Sequence, residues 1–365
     1  MSTFTIGVIG CGRIANQYLT NLTTWFPASV RIAACADLNN DAAKAVAKEF
    51  GVTRACTPQE LLADPAIDAV LNLTNPWAHT QVNLDALESG KHVYAEKPLA
   101  LTRDDARTVL AKAKETGLRF GCAPDTFLGA GLQTCIKLID EGWIGKPAVA
   151  RGSITMTTAM NARYQSEGIG GVLMDMGPYY VTALVAMLGP VVRLAGFSTV
   201  SSPTRTITDM RHADFGETFA VESPTTVAGT LEHEGGVFSH LTTSVDGHKY
   251  GPELSVIGTE GVLTCNDPNM FGGTVTVERR GGEALRMPFT HQFNDRNRGL
   301  GLVEMLYAHQ AGRPHRATGE LAYHCMDVLL GLKESASTGA YHSVDRVCQR
   351  PSPFVAGHVD SPVLS

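Results

Sequence analysis

Thr5-Ile6-Gly7-Val8-Ile9-Gly10-Cys11-Gly12-Arg13-Ile14-Ala15 is the stretch whose reading decides the fold. An apolar run over 3–9 passes straight into a glycine turn, which predicts a buried parallel strand. A helix is expected to follow over 13–24. Gly10 permits the tight turn, Gly12 lets the backbone approach a pyrophosphate, and Ala15 packs the helix on the sheet. The helix N-terminus offers N–H groups and a positive dipole end to phosphates. Gly10, Gly12, Arg13 and Ile14 are therefore candidate cofactor-binding residues.

The alternation continues outward from this turn. Strands are expected over 30–36, 67–73, 92–95 and 118–122. Helices are expected over 41–50, 76–88 and 102–115, the last capped by Thr102 and stopped by Gly117. Strands alternating with helices predict a doubly wound parallel sheet, the Rossmann arrangement. After about residue 124 the rhythm changes. One helix (127–141) leads into β-rich runs over 148–158, 191–200, 225–233, 237–244, 254–257 and 274–278. Helices are expected over 172–188, 300–310 and 319–335. This half predicts an α+β domain on a large, mostly antiparallel sheet. The expected domains are 1–123 for NAD, 124–345 for substrate and oligomerisation, and a tail over 346–365.

At 365 residues the chain exceeds what one core usually supports, so two domains are expected. A net charge of -6 gives no reason to expect a nucleic acid or an anionic membrane as partner. The eight cysteines, 11, 35, 56, 122, 135, 265, 325 and 348, form no CxxC pair. They read as reduced thiols of a cytoplasmic protein. The most apolar stretch, 176–192, is broken by Gly177-Pro178 and Gly189-Pro190, and reads as a buried helix rather than a membrane span. No metal-ligand motif is present, so no metal is expected.

Further site candidates sit where the expected strands end. Asp37 falls ~20 residues past the glycine motif, where an acid binds adenosine ribose hydroxyls. A phosphate at about 4 Å from that carboxylate, at an effective dielectric of ~20, meets repulsion on the order of 4 kcal/mol, which favours NAD over NADP. A helix-capping acid is the alternative role. Thr74, Asn75 and Pro76 close the third strand and can border the nicotinamide ribose. His79 can touch this loop or the cofactor, or lie on a helix surface. Glu96-Lys97-Pro98 follows the fourth strand. Its lysine can hold a substrate hydroxyl and stabilise developing negative charge. The Lys97–Pro98 bond can be cis. Asp125-Thr126, Arg163-Tyr164-Gln165 and His248-Lys249-Tyr250 are candidate substrate contacts or solvated loop.

Taken with Gly170-Gly171-Val172-Leu173-Met174-Asp175-Met176-Gly177-Pro178-Tyr179 and Gly258-Thr259-Glu260-Gly261, these motifs resemble the Gfo/Idh/MocA oxidoreductases over nearly the whole chain. The resemblance implies that Lys97, Asp175 and Tyr179 flank the substrate carbon. Asp175 and Tyr179 are spaced i, i+4 and share a helix face. Inositol dehydrogenase-like members carry histidine at the later position, whereas Tyr179 follows the glucose–fructose oxidoreductase branch. A tyrosine with an ordinary pKa of about 10 needs a cation such as Lys97 to act as a base near neutrality. Tyr180, facing away, is expected to pack. The expected activity is NAD-dependent oxidation of a sugar or polyol, or reduction of a ketosugar, by a homodimer or homotetramer. Two other readings stay open: tightly held NAD cycling within one turnover, and a non-catalytic NAD or sugar sensor.

Overall fold

The computed structural model describes residues 3–157, 165–166, 168–208, 210, 214–345 and 347–357. The chain forms two compact units. One comprises Met1–Leu128, Phe293–Tyr323 and Gly357–Ser365; the other comprises Gly129–Gln292 and His324–Ala356.

The first unit is built on a six-stranded parallel sheet. Its strands are β1 (Phe4–Ile9), β2 (Val30–Ala36), β3 (Ala55–Cys56), β4 (Ala69–Asn72), β5 (His92–Ala95) and β6 (Phe120–Cys122), in the order β3-β2-β1-β4-β5-β6. This is the dinucleotide-binding order, with its switch point between β1 and β4. The helices are α1 (Arg13–Trp25), α2 (Asn40–Glu49), α3 (Pro58–Leu62), α4 (His79–Glu88) and α5 (Arg103–Thr116). Ile6, Val8, Val70, Leu71, Val93 and Tyr94 are buried, which is why the strands read as continuous apolar runs. β3 and α3 were not anticipated. A two-residue strand carries no periodicity, although Thr57 and Glu60 make a capping box that marks the start of α3.

Residues 293–323 return to this unit rather than to the contiguous 124–345 expected from the sequence. Asp125 Oδ2 accepts the Gly299 and Gly301 N–H groups at 2.9 and 3.0 Å. Those groups open α8 (Leu300–Gln310). Ala317 O accepts from Cys122 N, extending the edge at β6. Glu304, fully buried on α8, pairs with Arg313 and Arg316.

The second unit carries a nine-stranded sheet. In chain order its strands are β7 (Pro147–Thr157), β8 (Val191–Thr199), β11 (Thr226–His233), β12 (Phe238–Gly247), β13 (Gly251–Gly258), β14 (Gly261–Thr264), β15 (Thr276–Arg279), β16 (Leu285–Arg286) and β17 (His342–Ser343). The spatial order is β16-β15-β14-β13-β7-β12-β11-β8-β17. Pairing is antiparallel except between β7 and β12. A separate hairpin joins β9 (Thr204–Thr206) and β10 (Thr218–Ala220). Helix α7 (Gly171–Leu188) packs on β7, β11 and β12, and α6 (Ala130–Asp140) packs against α7. Alternation along β7 sends Ala150, Ile154 and Met156 into the core and leaves Arg151 exposed. The outer face is mixed rather than apolar. Part-buried Thr155, Thr226, Thr230 and Thr242 lie among exposed His240, Phe238 and Phe197, the last 81% exposed. Helix α7 is long and apolar enough to cross a membrane, but its surface is spent on the core of this unit. The last helix of the chain is α9 (Gly319–Thr338).

Candidate active site

The glycine turn leaves β1 with Gly10 at φ +100°. A Cβ there would lie 2.4–2.5 Å from the backbone of Leu73 and Thr74, so the turn presses directly on the chain leaving β4. A Cβ on Gly12 would meet nothing within 4 Å. Gly12 is also the N-cap of α1, without a side-chain cap or an acidic residue in the first turn. The open space and the free helix N-terminus suit a pyrophosphate. Arg13 is exposed and Ile14 half-buried beside it. Asp37 bridges this turn to the next. One carboxylate oxygen accepts Cys11 N–H at 2.7 Å and the other accepts Asn39 N–H at 2.8 Å. Each oxygen keeps a second lone pair, so the ribose role and the structural role are compatible.

The loop after β4 is fixed from beneath. Buried Asn72 Oδ1 accepts the Thr74 hydroxyl at 2.7 Å and the Thr74 N–H at 3.2 Å, and its amide donates to Asn83 Oδ1. Asn75 Oδ1 accepts Ala78 N–H, and Trp77 is displayed 46% exposed. His79 touches this loop, the first of its sequence alternatives, and does not lie on a helix surface. It is 1% exposed, with Nδ1 2.6 Å from Pro98 O and Nε2 3.0 Å from Thr74 O. Both ring nitrogens are turned to backbone, so the ring does not present a polar atom to a cofactor. Burial pushes its pKa down, against the pull of the two carbonyls and Glu96.

Glu96 is likewise an internal residue. Its carboxylate accepts the Tyr18 hydroxyl at 2.8 Å and the Lys97 N–H at 3.0 Å, and its own N–H donates to Asn72 O. The Glu96 side chain anchors the Lys97 backbone. The Lys97–Pro98 bond is cis. Lys97 is half-buried at the carboxyl end of β5. Asp125 does not serve as a substrate contact. It is 0% exposed and its Oδ2 holds the start of α8. Burial raises its pKa to about 6, opposed by those N–H donors and by Arg298. Tyr18 and Asn72 were missed in the sequence because each resembles an ordinary helix or strand residue until its partner is seen.

In the second unit, α7 starts at Gly170 and Gly171, both at positive φ. A Cβ on Gly170 would lie 2.3 Å from Met174 Cγ, so glycine lets the helix begin here. One turn later stand Asp175 and Tyr179, both buried, with Tyr179 6% exposed. Tyr180 is fully buried with its ring against Gly152 of β7, the packing role expected of it. Tyr250, in the β12–β13 turn, donates to Asp267 at 2.6 Å, and burial and Asp267 raise its pKa. Tyr179 is close enough to contribute to that shift. Gln165 is buried, its backbone oxygen accepting the Glu222 and Ser223 N–H groups. Arg163 and Tyr164 lie outside the described residues. Among the described residues no cluster of three or more His, Cys, Asp or Glu is arranged to hold a metal.

A parallel sheet in this order, with an open glycine turn at its switch point, defines a dinucleotide-binding oxidoreductase domain. Residues 4–123 match the oxidoreductase family with an NAD-binding Rossmann fold, and residues 132–264 match the GFO/IDH/MocA C-terminal domain. The chain belongs to the Gfo/Idh/MocA family of oxidoreductases. It is 29% identical over 261 residues to scyllo-inositol 2-dehydrogenase (NAD(+)) of Bacillus subtilis, covering 70% of this chain and 72% of that protein. It is 30% identical over 300 residues to dTDP-3,4-didehydro-2,6-dideoxy-alpha-D-glucose 3-reductase of Streptomyces violaceoruber, covering 78% and 80%. Levoglucosan dehydrogenase in complex with NADH and L-sorbose shares the fold, with a TM-score of 0.80 at 17% identity over 94% of this chain and 100% of that one.

Proposed function

We propose that this protein is an NAD-dependent dehydrogenase or reductase of a sugar or polyol, acting at one CH–OH carbon. The observation that carries the reading is the anchorage of Lys97. Its N–H is held by Glu96, which is held in turn by Tyr18 and Asn72, at the mouth of a dinucleotide sheet. NAD, bound through Gly10, Gly12, Arg13, Ile14, Asp37 and the Thr74-Asn75-Pro76 loop, supplies a nicotinamide ring that accepts hydride. Lys97 holds the substrate hydroxyl and stabilises the negative charge that develops on its oxygen. Tyr179, in its tyrosinate form beside the Lys97 cation, takes the hydroxyl proton and, as the phenol, returns it in the reductive direction. Asp175, one helical turn before it, orients the substrate.

The inositol and keto-sugar specificities of the relatives support a polyhydroxylated ring as substrate. A screen for NADH formation over inositols, hexoses and anhydrosugars, and for NADH consumption over ketosugars, tests the reading. No turnover with any of them, from protein that binds NAD, would favour a sensor. The carboxylate of Asp37 supports NAD over NADP. The burial of seven of the eight cysteines supports a reducing cytoplasmic setting. Exposed Phe197 and Phe238 on the uncovered sheet face support a homodimer or homotetramer. Light scattering at micromolar concentration is expected to exceed the 38.9 kDa of one chain. A monomer mass would overturn the assembly.

A further inference from the structure

His79 sits between two loops that leave adjacent parallel strands. β4 and β5 pair along their length, and both loops emerge at the carboxyl edge of the sheet. The loop after β4 offers Thr74 O, and the loop after β5 offers Pro98 O, the carbonyl next to Lys97. The imidazole spans the two, 3.0 Å from one and 2.6 Å from the other, almost wholly out of solvent. Both ends of the span are also held through Asn72. Thr74 is held through its N–H and hydroxyl on Asn72. Residues 96 and 97 are held through Asn72 O and the Glu96 carboxylate.

The side chain suits a spacer. A planar ring with polar atoms on opposite edges sets the distance between two acceptors in a way a flexible amide does not. Both ring nitrogens face carbonyl oxygens, which only accept, so an N–H on either nitrogen donates across the gap and the rigid ring fixes the span between the two carbonyls. Around the ring, the charged groups that act on it are Glu96 and Lys97.

We propose that His79 is a positioning residue for the reaction: it clamps the Thr74 loop to the Lys97-Pro98 loop and so sets the Lys97 ammonium against the bound nicotinamide nucleotide. The proposal rests on the reading that NAD binds beside Lys97. It assigns His79 no contact with substrate or cofactor.

The test follows Lys97 directly and needs no substrate. Full-length protein is treated with an amine-acetylating reagent, with and without saturating NAD, and acetylation of Lys97 is quantified by peptide mass spectrometry. NAD affinity is measured in parallel by calorimetry. In the unsubstituted protein NAD is expected to slow acetylation of Lys97. In His79→Ala, NAD affinity is expected to stay within about threefold, because the glycine turn and Asp37 are untouched, while protection of Lys97 is lost, since the loop that carries it is no longer tied to the Thr74 loop. Added imidazole, filling the space left by the ring, is expected to restore protection. His79→Gln keeps bulk and one donor, and is the second variant should the alanine protein not fold; it is expected to lose part of the protection. Full protection of Lys97 in whichever folded variant still binds NAD would overturn the proposal. Absence of protection in the unsubstituted protein would instead remove NAD from the vicinity of Lys97. The proposal would fall with it, by a failure visible before any substitution is made.

Discussion

At the scale of single residues, chemistry and scaffolding are divided among neighbours. Lys97 and Tyr179 are the two whose loss should cost rate and little stability. Tyr179→Phe preserves the buried ring and removes the proton carrier, and is expected to lower kcat by on the order of 10²–10⁴. Lys97→Ala removes a positioned cation and is expected to lower kcat by about 10²–10³. Turnover with an active substrate, alongside NAD affinity, checks both. Near-normal turnover of Tyr179→Phe would return that residue to a packing role. Asp37 calls for a subtler substitution. Its carboxylate holds the Cys11 and Asn39 N–H groups besides the ribose role proposed for it, so Asp37→Ser should weaken NAD binding and loosen the turn together. Asp37→Asn keeps an acceptor oxygen and removes the charge. It is expected to narrow the preference for NAD over NADP by about tenfold, equal to roughly 1.4 kcal/mol of relieved repulsion. Equal Kd values for both nucleotides in the unsubstituted protein would remove the basis for this. What the sequence disclosed at this scale is telling. Gly10, Gly12 and the Glu96-Lys97-Pro98 string announce themselves because few other residues can do their backbone work. Asp125 misled because a polar residue at a strand end looks the same whether it faces a ligand or a buried N–H.

At the scale of elements, Asp125 shows what a buried carboxylate does to a helix. It anchors the first turn of α8 through Gly299 and Gly301, yet burial lifts its pKa from 3.8 to about 6. Between those values the folded chain keeps the proton that the unfolded chain has released. Stability attributable to this group therefore falls as pH rises from about 4 to 6, and the full cost, about 3 kcal/mol, persists above 6. Asp125→Asn keeps an oxygen for the two N–H groups without the charge. It is expected to stabilise the protein by about 2 kcal/mol at pH 7.5 and by almost nothing at pH 4. Denaturant unfolding at both pH values checks this; an equal effect at the two would show that Asp125 does not titrate in that range. The same element shows why part of the fold was hidden. The helix over 300–310 is expected from the sequence, but it is apolar almost throughout, with Leu300 to Ala308 all buried, so no polar face says which sheet it covers. Its place in the first unit depends on Asp125, some 175 residues earlier by the spacing of that hydrogen bond.

For the whole molecule, buried histidines set the acid limit. Burial pushes His79, His92, His233, His291, His315 and His324 below the ordinary value of 6.5. His233 is the clearest. Its neutral ring lies between Gly189 O and Ser239 Oγ, each at 2.8 Å, and its pKa falls to about 4. In a group depressed this way the stabilisation is complete above pH 6.5 and is lost as pH falls toward 4. For His233 it amounts to about 3 kcal/mol. Because several histidines outweigh the opposing slope of Asp125, Tm is expected to drop steeply from pH 6.5 to 4.5. His233→Gln, which can donate and accept at the same two places, should flatten the drop. A Tm independent of pH across that interval would contradict the assignment of these rings as neutral.

The return of residues 293–323 to the first unit also governs the order of events during synthesis. A nascent chain released as far as residue 128 has its parallel strands but lacks the segment that Asp125 and the β6 edge require. That segment emerges only after the whole of 129–292 has been made, a delay on the order of 10–30 s at ordinary elongation rates. Through that interval the edge at Cys122 is open and the Asp125 carboxylate is unmatched. The nucleotide half of the enzyme, although encoded first, cannot close until most of the second unit has been made.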